Sequence, residues 1–156
     1  MANFGYVKSR KKIDPVRLNT MLEQLNQARF HGNLVIDYSG DDNPSWNIRY
    51  VSSHDHKEYA SRYCWLGTSR TFSMRHGGGG TFAWWVDQTI INEVALLFNG
   101  TITDDAEGPK RRYQGEQDYY PVYRDFFNMM NNHLPPTSLM AVYALECAHT
   151  PYEHRW

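Results

Sequence analysis

Residues 75–98 read RHGGGGTFAWWVDQTIINEVALLF: the end of a strand-like run, four glycines, then the most apolar segment of the chain. From Thr81 to Phe98 the segment is long enough for a helix, and Asn99-Gly100 supplies stop chemistry. This helix is the element on which the remainder must pack. Projected at ~100° per residue, Phe82, Ala83, Val86, Ile90, Val94 and Leu97 share one face, flanked by Leu96 and Trp85. Trp84, Ile91, Ala95 and Phe98 make the far side apolar too, leaving Gln88 and Asn92 on a narrow polar strip and Asp87 at an edge. A helix apolar nearly all round is covered on both sides. Glu93 projects about 20° from the centre of the apolar face, where a bare carboxylate is costly. It is expected to be a buried polar residue with an Arg or Tyr partner, or to carry a raised pKa. A structural pair outweighs a catalytic acid or base at such a position.

The glycine run offers an anion site. Backbone N–H groups of Gly77, Gly78, Gly79 and Gly80, ahead of a helix beginning at Thr81, could face a phosphate, with Arg75 and His76 adding charge. The spacing matches neither Gly-x-x-x-x-Gly-Lys-Ser/Thr nor Gly-x-Gly-x-x-Gly. A flexible strand-to-helix connection with Thr81 as N-cap is the stronger reading.

Upstream, NFGYVK (3–8) alternates as a short strand and a basic cluster follows at Lys8, Arg10, Lys11 and Lys12, read as a solvated loop rather than a nucleic-acid patch. Asp14-Pro15 supplies an N-cap and first helical residue, and Leu18, Met21, Leu22 and Leu25 recur at helical spacing, predicting a helix over 15–29. LVIDY (34–38), SWNIRYV (45–51), EYASRYCWL (58–66) and RTFSMRH (70–76) predict an antiparallel meander. Asp41-Asp42-Asn43 and His54-Asp55-His56 lack the further ligands a metal needs, and the tail from Glu146 to His154 fits no structural zinc spacing, so no metal or cofactor is expected.

After Gly100, Thr101 to Thr103 suits a short strand and residues 104–117 a polar loop of functional length. Asp104, Asp105, Glu107, Lys110, Arg111, Arg112 and Tyr113 are its candidate partner-contact residues. Helices are expected from Pro121 to Asn132 and from Pro135-Pro136 to Ala148.

Lys plus Arg is 16 and Asp plus Glu 17, a balance that disfavours a dedicated nucleic-acid binder. The charge is uneven: residues 1–80 hold 11 basic and 7 acidic side chains, residues 81–156 hold 5 and 10. Cys64 and Cys147 stand far apart with no apolar leader at Met1–Tyr6, as in a chain with reduced thiols, and no run reaches the ~18 apolar residues of a membrane span. Eleven Tyr, seven Phe and five Trp favour a contact role, because Tyr and Trp are enriched where protein surfaces meet.

The arrangement RHGGGGTFAWWVDQTIINEVALLFNGTITDDA, preceded by NPSWNIRYV and FGYVKSRKKIDPVRLN, resembles small uncharacterised proteins encoded by tailed bacteriophages. The resemblance implies a viral setting and a role in the virion or at the host interface. It carries no site residues across.

The expected architecture is therefore one α+β domain over 1–156: an antiparallel sheet of about four or five strands against a central helix, with an N-terminal helix and two C-terminal helices. The expected function is a soluble, non-enzymatic binding or assembly protein in the host cytoplasm or on the virion. It meets a virion or host protein through aromatic surface and the 104–117 loop, with self-association left open. The alternative is a small hydrolase or phosphate-ligand-binding enzyme built on the 77–80 glycine loop. Glu93 stands too far along the helix to serve an anion held at its start.

Overall fold

The structure is a computed structural model and describes residues 3–30, 32–53, 56–76, 80–104 and 110–112. Along the chain run β1 (Asn3–Lys8), α1 (Pro15–Arg29), β2 (Leu34–Ser39), β3 (Ser45–Val51), β4 (Glu58–Thr68), β5 (Thr71–His76), α2 (Gly80–Phe98), β6 (Thr101–Asp104) and β7 (Lys110–Arg111). The strands form one sheet of order β2-β3-β4-β5-β1-β6-β7, every pair antiparallel.

This corrects the expected architecture. The sheet has seven strands, the last of two residues, in place of four or five. Among the described residues there are two helices, and the two C-terminal helices expected over 121–148 fall outside them. The meander β2–β5 occupies the four strongly patterned segments. β1 and β6 fall on the short segments expected as strands, and β7 is additional; what the sequence does not announce is the place of β1, hydrogen-bonded on both sides, by β5 and by β6.

Local chemistry sets the helix ends. Asp14 is extended at φ −76° and accepts from the Val16 N–H at 3.0 Å, and Pro15 fills the first helical position of α1. At the other end of α1 the buried Asn26 clamps β2, donating to the Leu34 carbonyl and accepting from the Leu34 N–H, both at 2.9 Å. α2 closes with Asn99 left-handed at φ 50° and the Gly100 N–H bonded to the Ala95 carbonyl at 2.8 Å, which satisfies the last carbonyls of the helix. It begins at Gly80, so Thr81 lies within its first turn.

Both helices lie on one face of the sheet. Leu18, Leu22 and Leu25 of α1 and Ala83, Val86, Ile90 and Val94 of α2 share a core with Val7, Trp46, Ile48, Tyr50, Cys64, Phe72, Met74 and Ile102. α2 packs on β1, β4, β5, β6 and α1. From Val86 to Asn92, seven consecutive residues are at most 4% exposed, so two turns of helix are enclosed on every side. No helix among the described residues is long and apolar enough to cross a membrane.

Candidate functional site

Alternation along the strands leaves a second face, turned away from the helices. Register puts Phe4, Arg75, Tyr63, Asn47 and Asp37 in one transverse row of it. A neighbouring row holds Lys110, Thr103, Tyr6, Ser73, Trp65 and Ser45. Four aromatic rings gather where these rows cross β1 and β4. Tyr63 stacks on Trp65 with centroids 5.4 Å apart, Phe4 on Tyr6 at 6.2 Å, and Phe4 meets Trp65 edge to face at 6.2 Å.

Ser73 makes this closure possible. It stands between Trp65 and Tyr6 in register and is only 2% exposed, so its small side chain lets rings from both neighbouring strands close above β5. Tyr63 remains 44% exposed, while Phe4, Tyr6 and Trp65 are half-buried. Rings in this arrangement are held by one another and by the strands, so little side-chain freedom remains to be lost when a partner arrives. Flat, amphipathic and preordered area of this kind is what anchors a binding surface.

Polar chemistry is concentrated under α2 instead. Arg62, on the helix-bearing face of β4, donates from Nε to Asp87 Oδ1 at 2.5 Å and from a terminal nitrogen to the Ser61 carbonyl at 2.8 Å. Both charged side chains are buried. Beside them Cys64 is fully buried, and its thiol is pushed well above the ordinary value of 9.0 by desolvation, with the Asp87 carboxylate adding to the shift and Arg62 opposing it. A thiol so placed stays protonated and is a poor nucleophile. Among the described residues the group is a buried ion pair that joins β4 to α2.

Of the expected anion site, Arg75 is exposed and stands in register with Phe4 and Tyr63. Gly77, Gly78 and Gly79 and the side chains of His76 and Thr81 lie outside the described residues. Glu93 is thirteen residues beyond Gly80, roughly 20 Å along the axis at ~1.5 Å per residue. It is paired with Arg29 at 3.1 Å and keeps 19% side-chain exposure, so it is half-buried rather than enclosed. The enclosed acid of α2 is Asp87, which the projection left at an edge, and Leu96, placed at the apolar flank, is 61% exposed.

Of the expected contact segment, Asp104 ends β6, Lys110 and Arg111 form β7, Arg112 donates to the Asn99 side-chain oxygen at 3.4 Å, and Asp105, Glu107 and Tyr113 lie outside the described residues. No group of three or more His, Cys, Asp or Glu among the described residues is placed to hold a metal ion. The aromatic cluster does have a sequence signal, the i, i+2 pairs Phe4/Tyr6 and Tyr63/Trp65, but the adjacency of those pairs depends on β5 and β1 being neighbours. No protein-family model matches the chain, and no curated protein is significantly similar to it.

Proposed function

We propose that the chain is a non-enzymatic binding or assembly protein that engages a protein partner through the aromatic face of its sheet. The observation that carries this reading is the ordered cluster of Phe4, Tyr6, Tyr63 and Trp65, with Tyr63 exposed at its surface. The row containing Trp65 and Tyr6 runs on through Thr103 to Lys110, a residue of the 104–117 segment whose length suggests a contact loop. Around the rings stand Arg75, Asn47 and Asp37, all exposed, which supply the mixed polar rim of a protein interface rather than the single-sign field of a nucleic-acid platform. The resemblance to proteins of tailed bacteriophages supports a virion or host protein as the partner.

The test compares affinity capture by the wild-type chain with capture by Tyr63→Ser/Trp65→Ser, from infected-cell lysate and from purified virions. One partner retained by the wild type and lost by the double variant, with unchanged circular dichroism, is the expected result. Identical capture by both proteins, or a free monomer throughout, overturns the reading.

A further inference from the structure

At the end of the strands away from His76, a basic segment follows β1 and approaches the end of α2. β1 brings in Arg10, Lys11 and Lys12 just beyond Lys8, and the chain leaving β7 brings in Arg112, which is tied to Asn99. Beside Arg10, Lys11 and Lys12 is a cavity of about 410 Å³, lined by them and by Arg17, Phe98 and Asn99 together with Ser9, Asp14 and Leu97. The cations are set on a fixed segment. Ser9 bonds through its N–H to the Arg70 carbonyl at 2.8 Å and through its hydroxyl to the Phe98 carbonyl at 3.3 Å. Ile13, buried, bonds to the Ser69 carbonyl at 2.7 Å. The three residues from Arg10 to Lys12 are therefore strung between two anchors, exposed, over the cavity. Arg17 is held over the Phe98 ring, 5.7 Å from its centroid.

Among the described residues, four cations and one carboxylate line this space, and that carboxylate, Asp14, is engaged in capping α1. The C-terminus of α2, which ends here, offers roughly half a negative charge and cannot balance them. A substantial positive surplus remains on a concave, preordered surface, where an anion with several charges gains most. We propose that this cavity binds a phosphate-bearing anion of multiple charge, either a small polyphosphate or the backbone of a single-stranded nucleic acid. The site is independent of the aromatic face and does not rest on the function proposed for it.

The experiment titrates the full chain with sodium tripolyphosphate and with a fluorescein-labelled single-stranded oligonucleotide, at low and at moderate salt. Saturable binding of at least one probe is expected. For a strand contacted at four phosphates, the affinity should fall about fifty-fold between roughly 50 and 200 mM salt. Lys11→Glu/Lys12→Glu should weaken binding at least tenfold and Lys11→Ala/Lys12→Ala by less, while Lys57→Glu, at the far end of the strands, leaves it unchanged. All three variants alter exposed side chains, and unchanged melting midpoints would show that the fold is kept. Tripolyphosphate that binds one-to-one and displaces the oligonucleotide identifies a small polyphosphate; an oligonucleotide that binds and resists displacement identifies a strand. Binding of neither probe at low salt, or equal binding by the charge-reversed variant and the wild type, overturns the proposal.

Discussion

Arg62 Nε stands 2.5 Å from Asp87 Oδ1, joining the middle of β4 to the first half of α2 with both side chains withdrawn from water. Two desolvated charges gain little net stability as a pair, but either one alone is costly. Asp87→Ala should therefore lose about 3 to 5 kcal/mol in urea melts, because it removes the carboxylate that faces the buried Arg62 guanidinium. Asp87→Asn, which keeps an acceptor, should lose less. Arg62→Met/Asp87→Leu should recover most of the loss; a double variant as unstable as the single Asp87→Ala would contradict this account of the pair.

The Arg29–Glu93 pair joins the last turn of α1 to α2 at 3.1 Å, and both side chains keep contact with solvent. Screening lowers its worth, so Glu93→Ala should cost about 1 to 2 kcal/mol, more than a surface pair and less than loss of Asp87. Urea midpoints measured side by side check the ordering, which reverses if the fully enclosed acid is Glu93.

Cys64 is buried with its thiol pushed upward by desolvation, so the native state holds the proton that the unfolded chain releases above the ordinary value of 9.0. Stability is accordingly undiminished by this group below that pH and falls as pH rises past it, since the unfolded state then binds fewer protons. In a Cys147→Ser background, a thiol reagent at pH 8 should find no reactive group in the native protein and one in denaturant. Rapid native labelling would show that the interior beneath α2 is open.

Gly100 lies so close to β1 that an added Cβ would stand 2.5 Å from Val7 Cγ1 and 3.1 Å from the Lys8 carbonyl oxygen. Gly100→Ala should cost about 1 to 3 kcal/mol by forcing β1 and the end of α2 apart. Thermal melts check this, and a midpoint equal to wild type would mean that the strand gives way freely.

The helices and the β2–β5 meander were legible because their signals are local: Asp14-Pro15 and the leucine spacing for α1, alternating aromatic and β-branched residues for the strands. The place of β1 between β5 and β6 was not, since it is decided by long-range pairing of a short segment. Projection of α2 misplaced its acids for a related reason. Hydrophobicity marks the inside of a helix with one wet side, whereas the middle of α2, from Val86 to Asn92, has none, and Asp87 is drawn inward by Arg62, a charge on another element. The aromatic pairs were each visible in the sequence, but their meeting is a property of the sheet order, as the approach of Arg10 to Lys12 to the end of α2 is a property of the tertiary fold.

The proposal that the aromatic face is the partner-binding surface is tested most directly by site-specific photocrosslinking. A photoreactive phenylalanine analogue is placed at Tyr63, on that face, or at Val16, exposed on α1. Irradiation in infected-cell lysate should give one discrete adduct with a partner protein from position 63 and none from position 16. Equal adducts from both positions, or an adduct from position 16 alone, would contradict the assignment.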